Sequence, residues 1–190
     1  MSGLNRPDYL AFDLDPFIYS GKELPGGEPE YNPPAFALCK KVALWLKEVL
    51  DALDLRSFIK TTGKTGIHVF VPIEKTISFE EAKRICELIG RHVVAAHPDE
   101  VTMEWSISKR TGKIFIDHNM NGQGRTLHAA YSPRAQPGGT FSMPIRWDEL
   151  PTINPANFRI TAIDKIMQGK QDAWSTIFEF PQSIERALRG

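Results

Sequence analysis

Asp13 and Asp15 stand two residues apart in the segment YLAFDLDP, which occupies residues 9–16. In a β-strand this spacing puts both carboxylates on one face, while the alternating apolar residues point to the other. The apolar face can enter a core. Two neighbouring carboxylates repel each other unless a cation lies between them, so the acidic face favours a divalent metal ion. The alternative is a strand that simply ends in an Asp-Pro turn.

The composition is that of an ordinary globular chain and excludes a strongly basic nucleic-acid-binding protein. The 190 residues are 42% hydrophobic and 24% charged, which suits one domain over residues 1–190. Lysine plus arginine and aspartate plus glutamate both number 23, but the charges are unevenly spread. Residues 1–35 carry six acids and two bases, whereas residues 105–146 carry six bases and one acid. An acidic metal centre facing a basic groove is compatible with this division.

The two cysteines and the hydropathy pattern indicate a compartment. Cys39 and Cys86 lie in apolar helical patterns, so we expect buried free thiols, no disulfide and no zinc site. No signal peptide is evident, and no apolar run approaches the roughly 18 residues of a membrane span. We therefore expect a soluble protein of the reducing cytoplasm without a membrane partner.

Hydrophobic periodicity predicts strands interleaved with two long helices. Strands are expected at residues 9–14, 57–62, 67–73, 103–107, 114–117 and 127–131, the fourth and fifth as a pair around the turn at 109–112. Helices are expected at 35–53 and, from a capping box at Ser78 and Glu81, to about residue 97, with short helices after 147 and a Gly/Pro-rich loop at 20–34. This order predicts an α/β (α+β) domain whose mixed, mostly antiparallel sheet is flanked by helices.

A turn between two of these strands combines glycines, hydroxyls and a lysine. Its amides together with Thr62, Lys64 and Thr65 are suited to cradle a phosphate, and His68 on the following strand adds a donor. The spacing is not that of a Walker A loop, and no helix follows. A tight turn with a satisfied core histidine is the alternative.

Asp117 ends the apolar strand 114–117 much as the first aspartate pair ends its own strand. A third carboxylate on a neighbouring strand would complete a site in which two divalent ions share ligands for phosphoryl transfer. The alternative is again an aspartate in a strand-terminal turn.

Several motifs in this order resemble the archaeo-eukaryotic primase superfamily, and in particular the polymerase domain of bacterial ligase D and its archaeal stand-alone relatives. The matching segments are Asp13-Leu-Asp15, the Gly-x-x-Gly-x-His-x-x-x-Pro run ending at Pro72, Ser108-Lys-Arg110, Phe115-Ile-Asp117, Tyr131-Ser-Pro-Arg134 and Trp147-Asp-Glu-Leu150. The resemblance runs over nearly the whole chain.

The resemblance implies three groups of site residues. The catalytic residues and ligands of two Mn²⁺ or Mg²⁺ ions would be Asp13, Asp15 and Asp117. The contacts to the phosphates of an incoming nucleotide would be Thr62, Lys64, Thr65, His68 and Arg134. The contacts to DNA would be Lys109 and Arg110, and His118 and Asn119 receive no role beyond following Asp117.

The resemblance also implies a function in non-homologous end joining. We expect a template-dependent nucleotidyltransferase that extends primer 3′ ends at DNA breaks or gaps, with a preference for ribonucleotides. Nucleoside triphosphates, DNA ends or gapped DNA, a DNA ligase and a Ku-type end-binding protein would be its partners, in a nucleoid-associated cytoplasmic setting. Two alternatives are a primase that starts chains without a primer and a DNA-end binding module that has lost turnover.

Bacterial members carry a long segment before the DxD strand that recognises a downstream 5′ phosphate and the template. Here the aspartate pair begins at residue 13. The expectation from the sequence is therefore that DNA binding depends little on a 5′ phosphate.

Overall fold

Six strands form one mixed sheet in the computed structural model, which describes residues 5–16, 20, 31–136 and 138–187. In chain order the strands are β1 (Tyr9–Asp15), β2 (Phe58–Thr61), β3 (Ile67–Pro72), β4 (Val101–Thr102), β5 (Ile114–Asp117) and β6 (Pro144–Ile145). Their order in the sheet is β4-β5-β1-β3-β2-β6. Only the β4–β5 pair is parallel, which confirms the expected α+β class with a mostly antiparallel sheet.

In the described part of the chain, two long helices and two short ones accompany the sheet: α1 (Pro33–Ala52), α2 (Phe79–Ala96), α3 (Ile163–Met167) and α4 (Ile184–Ala187). The side chain of Asn32 accepts a hydrogen bond from the Ala35 amide at the start of α1. Ser78 and Glu81 form the predicted capping box at the start of α2. The loop expected at residues 20–34 lies mostly outside the described residues.

The face of the sheet that carries the apolar alternation packs against α1 and α2. Leu10, Phe12 and Leu14 of β1 are fully buried there in one large hydrophobic cluster. Each such side chain stabilises the fold by about 1.5–3 kcal/mol relative to exposure. Cys39 and Cys86 are buried and free in the same cluster, as expected. Among the described residues, no helix is both long and apolar enough to cross a bilayer.

The opposite face carries a smaller apolar cluster at one end and the polar site at the other. Phe58 and Phe70 pack there with Ile177 and Trp174 from the C-terminal segment. The Trp174 indole N–H donates to the Ile59 carbonyl at 3.0 Å, which holds this segment on the sheet. The C-terminal segment therefore leaves the end of β1 with Asp13 and Asp15 uncovered.

Of the two strands predicted as a pair, the one at 114–117 is confirmed and the one at 103–107 is wrong. The strand is Val101–Thr102, and it runs parallel to β5. The Thr102 hydroxyl accepts from the Glu104 amide at 3.1 Å and turns the chain out of the sheet, and Ile107–Lys109 forms a 3-10 turn. A crossover loop over residues 103–113, which contains this 3-10 turn, therefore replaces the expected hairpin.

The strand predicted at 127–131 is also wrong, because Tyr131 has a φ of +63°, which breaks an extended run. The segment instead makes an isolated bridge between Pro133 and Phe141. Beyond residue 147 the chain forms 3-10 turns before α3, in agreement with the expected short helices.

Candidate active site

Four polar residues form a row across four neighbouring strands. Asp117 lies opposite Asp13 in the β5–β1 pair, Asp13 lies opposite His68 in the β1–β3 pair, and His68 lies opposite Lys60 in the β3–β2 pair. Directly opposed residues of antiparallel strands point to the same face. Asp15 lies two positions further along β1, opposite Phe115, and therefore joins this face. The strand register thus gathers all four residues and Asp15 on one side of the sheet.

The three carboxylates line one cleft of about 540 Å³, whose other walls come from the loop before β5. Asp13, Asp15 and Asp117 are all half-buried. Asp117 ends its strand in a turn, because its Oδ1 accepts a hydrogen bond from the Asn119 amide at 2.9 Å. The two aspartates of β1 and the aspartate of β5 are therefore presented to the same space, although β1 and β5 are separated by about 100 residues in the sequence.

The donor chemistry of this cleft fits a divalent cation. Three carboxylates without a cysteine supply only oxygen ligands, which are those that Mg²⁺ and Mn²⁺ prefer. Among the described residues, the side chains do not already converge into a formed cluster of three ligands. Ion binding at Asp13, Asp15 and Asp117 would therefore include side-chain rotation toward the ion.

His68 lies between the carboxylates on one side and Lys60 on the other. Its Nε2 lies 3.3 Å from Asp13 Oδ1, and its side chain is only 3% exposed. Burial lowers the pKa of His68, and the cations Lys60 and Arg134 lower it further, while Asp13 acts in the opposite direction. The ring is therefore neutral at neutral pH. Its Nδ1 is buried without a hydrogen-bond partner in the described part of the chain.

Arg134 lies on the same side of the cleft, as its electrostatic coupling to Asp13 and Lys64 indicates. Its Nη1 is also buried and lacks a hydrogen-bond partner among the residues that the structure describes. Buried polar atoms are almost always paired, so the Arg134 Nη1 donor favours an anionic ligand that completes its hydrogen bonds. The neutral His68 ring, with its Nε2–H toward Asp13, presents an acceptor at Nδ1, which donates to an anion only when the ring takes up a second proton.

The turn at 62–66 is shaped by its own side chains. Thr62 Oγ1 accepts from the Lys64 amide at 3.2 Å and from the Gly66 amide at 3.1 Å. Thr62 and Thr65 are both buried. The structure therefore shows Thr62 holding the turn, and the contacts of Thr62, Lys64 and Thr65 with a phosphate stay a prediction.

Gln136 and Thr140 connect this turn to the segment that carries Arg134 through hydrogen bonds. Neither residue was predicted from the sequence as part of the site. Gln136 Nε2 donates to the Gly63 carbonyl at 2.8 Å, and the Thr140 hydroxyl donates to the same oxygen. Gly63 has a φ of +78°, and a Cβ there would lie 2.7 Å from Arg134 Cγ. The turn and the Arg134 segment therefore pack as one unit.

Lys60 is the third residue of the site that was not predicted from the sequence. It is fully buried, and its ammonium donates to Ser142 Oγ, which in turn donates to the Thr61 carbonyl at 2.7 Å. Burial lowers the pKa of Lys60 to about 7, against the opposing effect of Asp13. The signal in the sequence was a lysine placed inside a four-residue strand that is otherwise suited to burial.

The two residues assigned to DNA differ in their surroundings. The Arg110 guanidinium lies 3.6 Å from the centroid of the Phe115 ring and donates to the carbonyls of Glu104 (3.1 Å) and Trp105 (2.9 Å). Lys109 Nζ lies 3.1 Å from Glu104 Oε2, and both side chains are exposed. Arg110 therefore organises the loop, and the contacts of both residues with DNA stay a prediction.

Comparison with known proteins places the chain in a family. Residues 1–174 match the family described as LigD, primase-polymerase domain. The chain belongs to this family. It is 30% identical over its full length to the multifunctional non-homologous end joining protein LigD of Pseudomonas aeruginosa, and 30% identical over 85% of its length to the bifunctional LigD of Bacillus subtilis. It spans 21% and 24% of the lengths of those relatives.

A solved structure shares the fold. The polymerase domain of Mycobacterium tuberculosis ligase D, determined in complex with DNA, matches 93% of this chain and 56% of its own chain, with a TM-score of 0.75 and 25% sequence identity. Membership in this family confirms the resemblance and the expected enzyme class, a nucleotidyltransferase of the primase-polymerase type.

Proposed function

We propose that this chain adds nucleotides to the 3′ ends of primers, under the direction of a template, at DNA breaks or short gaps during end joining. The observation that carries the proposal is the row Asp117, Asp13 and His68 on one face of the sheet, with a metal-suited cleft on one side and, on the other, the buried Arg134 donor that has no partner among the described residues. Nucleotide addition needs both features, because a metal-binding carboxylate group must lie next to a phosphate-binding group.

In this proposal Asp13, Asp15 and Asp117 hold two divalent ions, Mn²⁺ or Mg²⁺. Such ions, when bound, lower the pKa of the primer 3′ hydroxyl and offset the charge that develops on the leaving pyrophosphate. The carboxylates fix the position of the ions, since the strand register sets where their side chains begin. No separate protein base is required.

The triphosphate lies on the other side of Asp13 in this proposal. Arg134 Nη1 is the buried donor that the phosphates would satisfy, and Lys64 adds charge from the turn. His68 Nδ1 would donate to the phosphates when their negative charge has raised the pKa of the ring and protonated it. Lys60, whose pKa burial lowers to about 7, lies buried behind them and is only partly charged at neutral pH. Because a buried site has a low effective dielectric constant, each of these charges acts on the phosphates more strongly than it would in water.

The preference for ribonucleotides, the partners and the location in the cell are supported by the family alone. The proposed partners are nucleoside triphosphates, DNA ends or gapped DNA, a DNA ligase and a Ku-type end-binding protein. The proposed setting is the nucleoid-associated cytoplasm. The LigD proteins of Pseudomonas aeruginosa and Bacillus subtilis are named as non-homologous end joining proteins. The polymerase domain of Mycobacterium tuberculosis ligase D was determined in complex with DNA.

A primer-extension assay tests the proposal. Wild-type protein is given ribo- or deoxynucleotides and Mn²⁺ or Mg²⁺, with a gapped duplex that carries or lacks a primer. We expect addition only with primer and template, and faster addition of ribonucleotides. Products without a primer would indicate a primase that starts chains, and retained DNA binding without any addition would indicate a module that has lost turnover.

A further inference from the structure

Trp105 stands at the wall of the carboxylate cleft with most of its side chain in solvent. It is 69% exposed, and its neighbour Ile107, which lines the same cleft, is 54% exposed. An exposed indole does not gain the hydrophobic free energy that burial of a tryptophan side chain normally contributes. An exposed aromatic side chain next to a candidate catalytic cleft is therefore a candidate for ligand contact.

The loop holds Trp105 in place rather than leaving it free to rotate. The Arg110 guanidinium lies 5.5 Å from the centroid of the indole ring and donates to the Trp105 carbonyl at 2.9 Å. The edge of Phe115 contacts the same ring, with centroids 6.1 Å apart and an interplanar angle of 71°. A ring positioned in this way loses little conformational entropy when a ligand stacks on it.

The charges around the ring select the class of ligand. Arg110 brings a cation to the ring, Lys109 of the same loop is paired with Glu104, and the carboxylates opposite are suited to metal ions that also attract phosphate. A nucleotide unit combines a flat aromatic base with a phosphate, which matches an aromatic surface next to a cation. A purely apolar partner would gain nothing from these charges.

We propose that Trp105 is a stacking platform for a nucleobase at the mouth of the carboxylate cleft. The inference rests on the proposed function and adds a base contact to it. The base belongs either to the nucleic-acid strand or to the free nucleotide, and the two sources share the same chemistry. Stacking on an aromatic side chain contributes about 1–3 kcal/mol per base and tolerates any base.

The test compares three variants by fluorescence anisotropy, with a labelled primer–template duplex and with a labelled nucleoside triphosphate. Trp105→Ala is expected to weaken binding of one of the two probes by about 5- to 100-fold. Trp105→Phe retains an aromatic ring and should recover most of the loss. Phe178→Ala is the matched control, since Phe178 is 67% exposed but lies on the C-terminal segment rather than at this cleft. It should change binding less than twofold.

An abasic duplex separates stacking from a general disturbance of the loop. An abasic residue at the primer terminus or at the facing template position should weaken binding to the wild type but not further weaken binding to Trp105→Ala. A loss seen only with the free triphosphate would assign the base to the incoming nucleotide.

Three results would overturn the proposal: wild-type affinity of Trp105→Ala for both probes; a loss of duplex binding in Trp105→Ala with an equal abasic effect in both proteins; or a change in sedimentation that shows Trp105 in contact with a second copy of the chain. If the wild type extends primers and Trp105→Ala binds normally, only the stacking inference fails. If the wild type neither binds nor extends, the proposed function fails as well.

Discussion

Asp13 and His68 face each other across β1 and β3, with 3.3 Å between Asp13 Oδ1 and His68 Nε2. On one side of this pair lie Asp15 and Asp117, and on the other side lies the buried cation Lys60. The strand register thus sets an acidic half of the site directly against a cationic half. A metal-bound triphosphate requires this arrangement, because its phosphates need cations on one side and its metals need carboxylates on the other.

Replacement of His68 or Arg134 by alanine should weaken binding of nucleoside triphosphate at least tenfold and leave DNA affinity nearly unchanged. Arg134 carries a buried donor without a partner in the described part of the chain, which the phosphates would satisfy, and His68 Nδ1 would donate to them when the ring is protonated. Each variant is titrated with labelled nucleotide and with labelled DNA. A loss confined to DNA would overturn the assignment.

Gly63→Ala should unfold or loosen the phosphate turn, whereas Gly112→Ala should be nearly tolerated. Both glycines have positive φ, +78° and +75°, so each substitution carries a backbone strain of about 1 kcal/mol. Only at Gly63 would the new Cβ lie 2.7 Å from Arg134 Cγ and 2.8 Å from the Phe141 carbonyl carbon, whereas nothing lies within 4 Å at Gly112.

The difference between the two alanine variants is measured by urea denaturation. We expect Gly63→Ala to cost about 1–3 kcal/mol more than Gly112→Ala, and to reduce triphosphate binding as well. Equal losses of stability in the two variants would mean that the turn does not pack against the Arg134 segment as the structure shows.

Lys60 should make the stability of the protein rise with pH above neutrality. The pKa of Lys60 is about 7 in the folded chain against an ordinary value of 10.5, so between these values the unfolded chain holds a proton that the folded chain has released. The free energy of unfolding therefore increases with pH, by about 1–2 kcal/mol between pH 7 and 8.5 from this residue. Below about pH 6, where Lys60 is protonated in both states, this contribution no longer changes.

Lys60→Met should lose this pH dependence and be at least as stable as the wild type at pH 7, because it removes the cost of burying a charge. Lys41→Met, at an exposed position of α1, is the control and should keep the wild-type dependence. Urea denaturation of the three proteins at pH 7.0, 7.75 and 8.5 measures the effect. Parallel curves for Lys60→Met and the wild type would show that Lys60 does not titrate in this range.

The affinity for DNA should depend only weakly on salt. The chain has equal numbers of acids and bases, and its clearly basic stretch is residues 105–146. Two to four phosphate contacts give a slope of log K against log salt of about −2 to −4. Lys109→Gln should reduce the slope by about 1, whereas Lys41→Gln on α1 should not change it. Anisotropy titrations on a gapped duplex at several salt concentrations measure the slope, and a value much steeper than −4 would reveal a further basic surface.

The parts of the fold that depend on local pattern could be predicted from the sequence. The alternation in residues 9–15 gave the strand, and the capping box gave the start of α2. The three aspartates were expected to share a site, and the structure does bring them to one cleft. Residues two apart in a strand point to the same face of the sheet. Because the apolar residues that alternate with them must face the core, Asp13 and Asp15 have to lie on the opposite face.

The parts that depend on tertiary contacts could not be predicted. From the sequence, Arg110 is expected to be a solvated surface cation. In the structure its guanidinium stacks on Phe115 and organises the loop that replaces the expected hairpin. From the sequence, Lys60 is also expected to be solvated. In the structure it is buried, and Ser142, about 80 residues later, accepts its hydrogen bond. Ser142 lies far outside a local window around Lys60, and nothing in the segment 104–115 marks Arg110 as packed on Phe115 rather than solvated.

The metal-dependent role of the three carboxylates is the claim on which the proposed function depends most. Primer extension on a gapped duplex with Mn²⁺ is measured for the wild type, for Asp13→Asn, Asp15→Asn and Asp117→Asn, and for the control Asp99→Asn at an exposed position between α2 and β4. We expect each of the first three to lose nucleotide addition by at least about a hundredfold while remaining folded, and the control to keep it. Wild-type extension rates in any one of Asp13→Asn, Asp15→Asn or Asp117→Asn would contradict the assigned site.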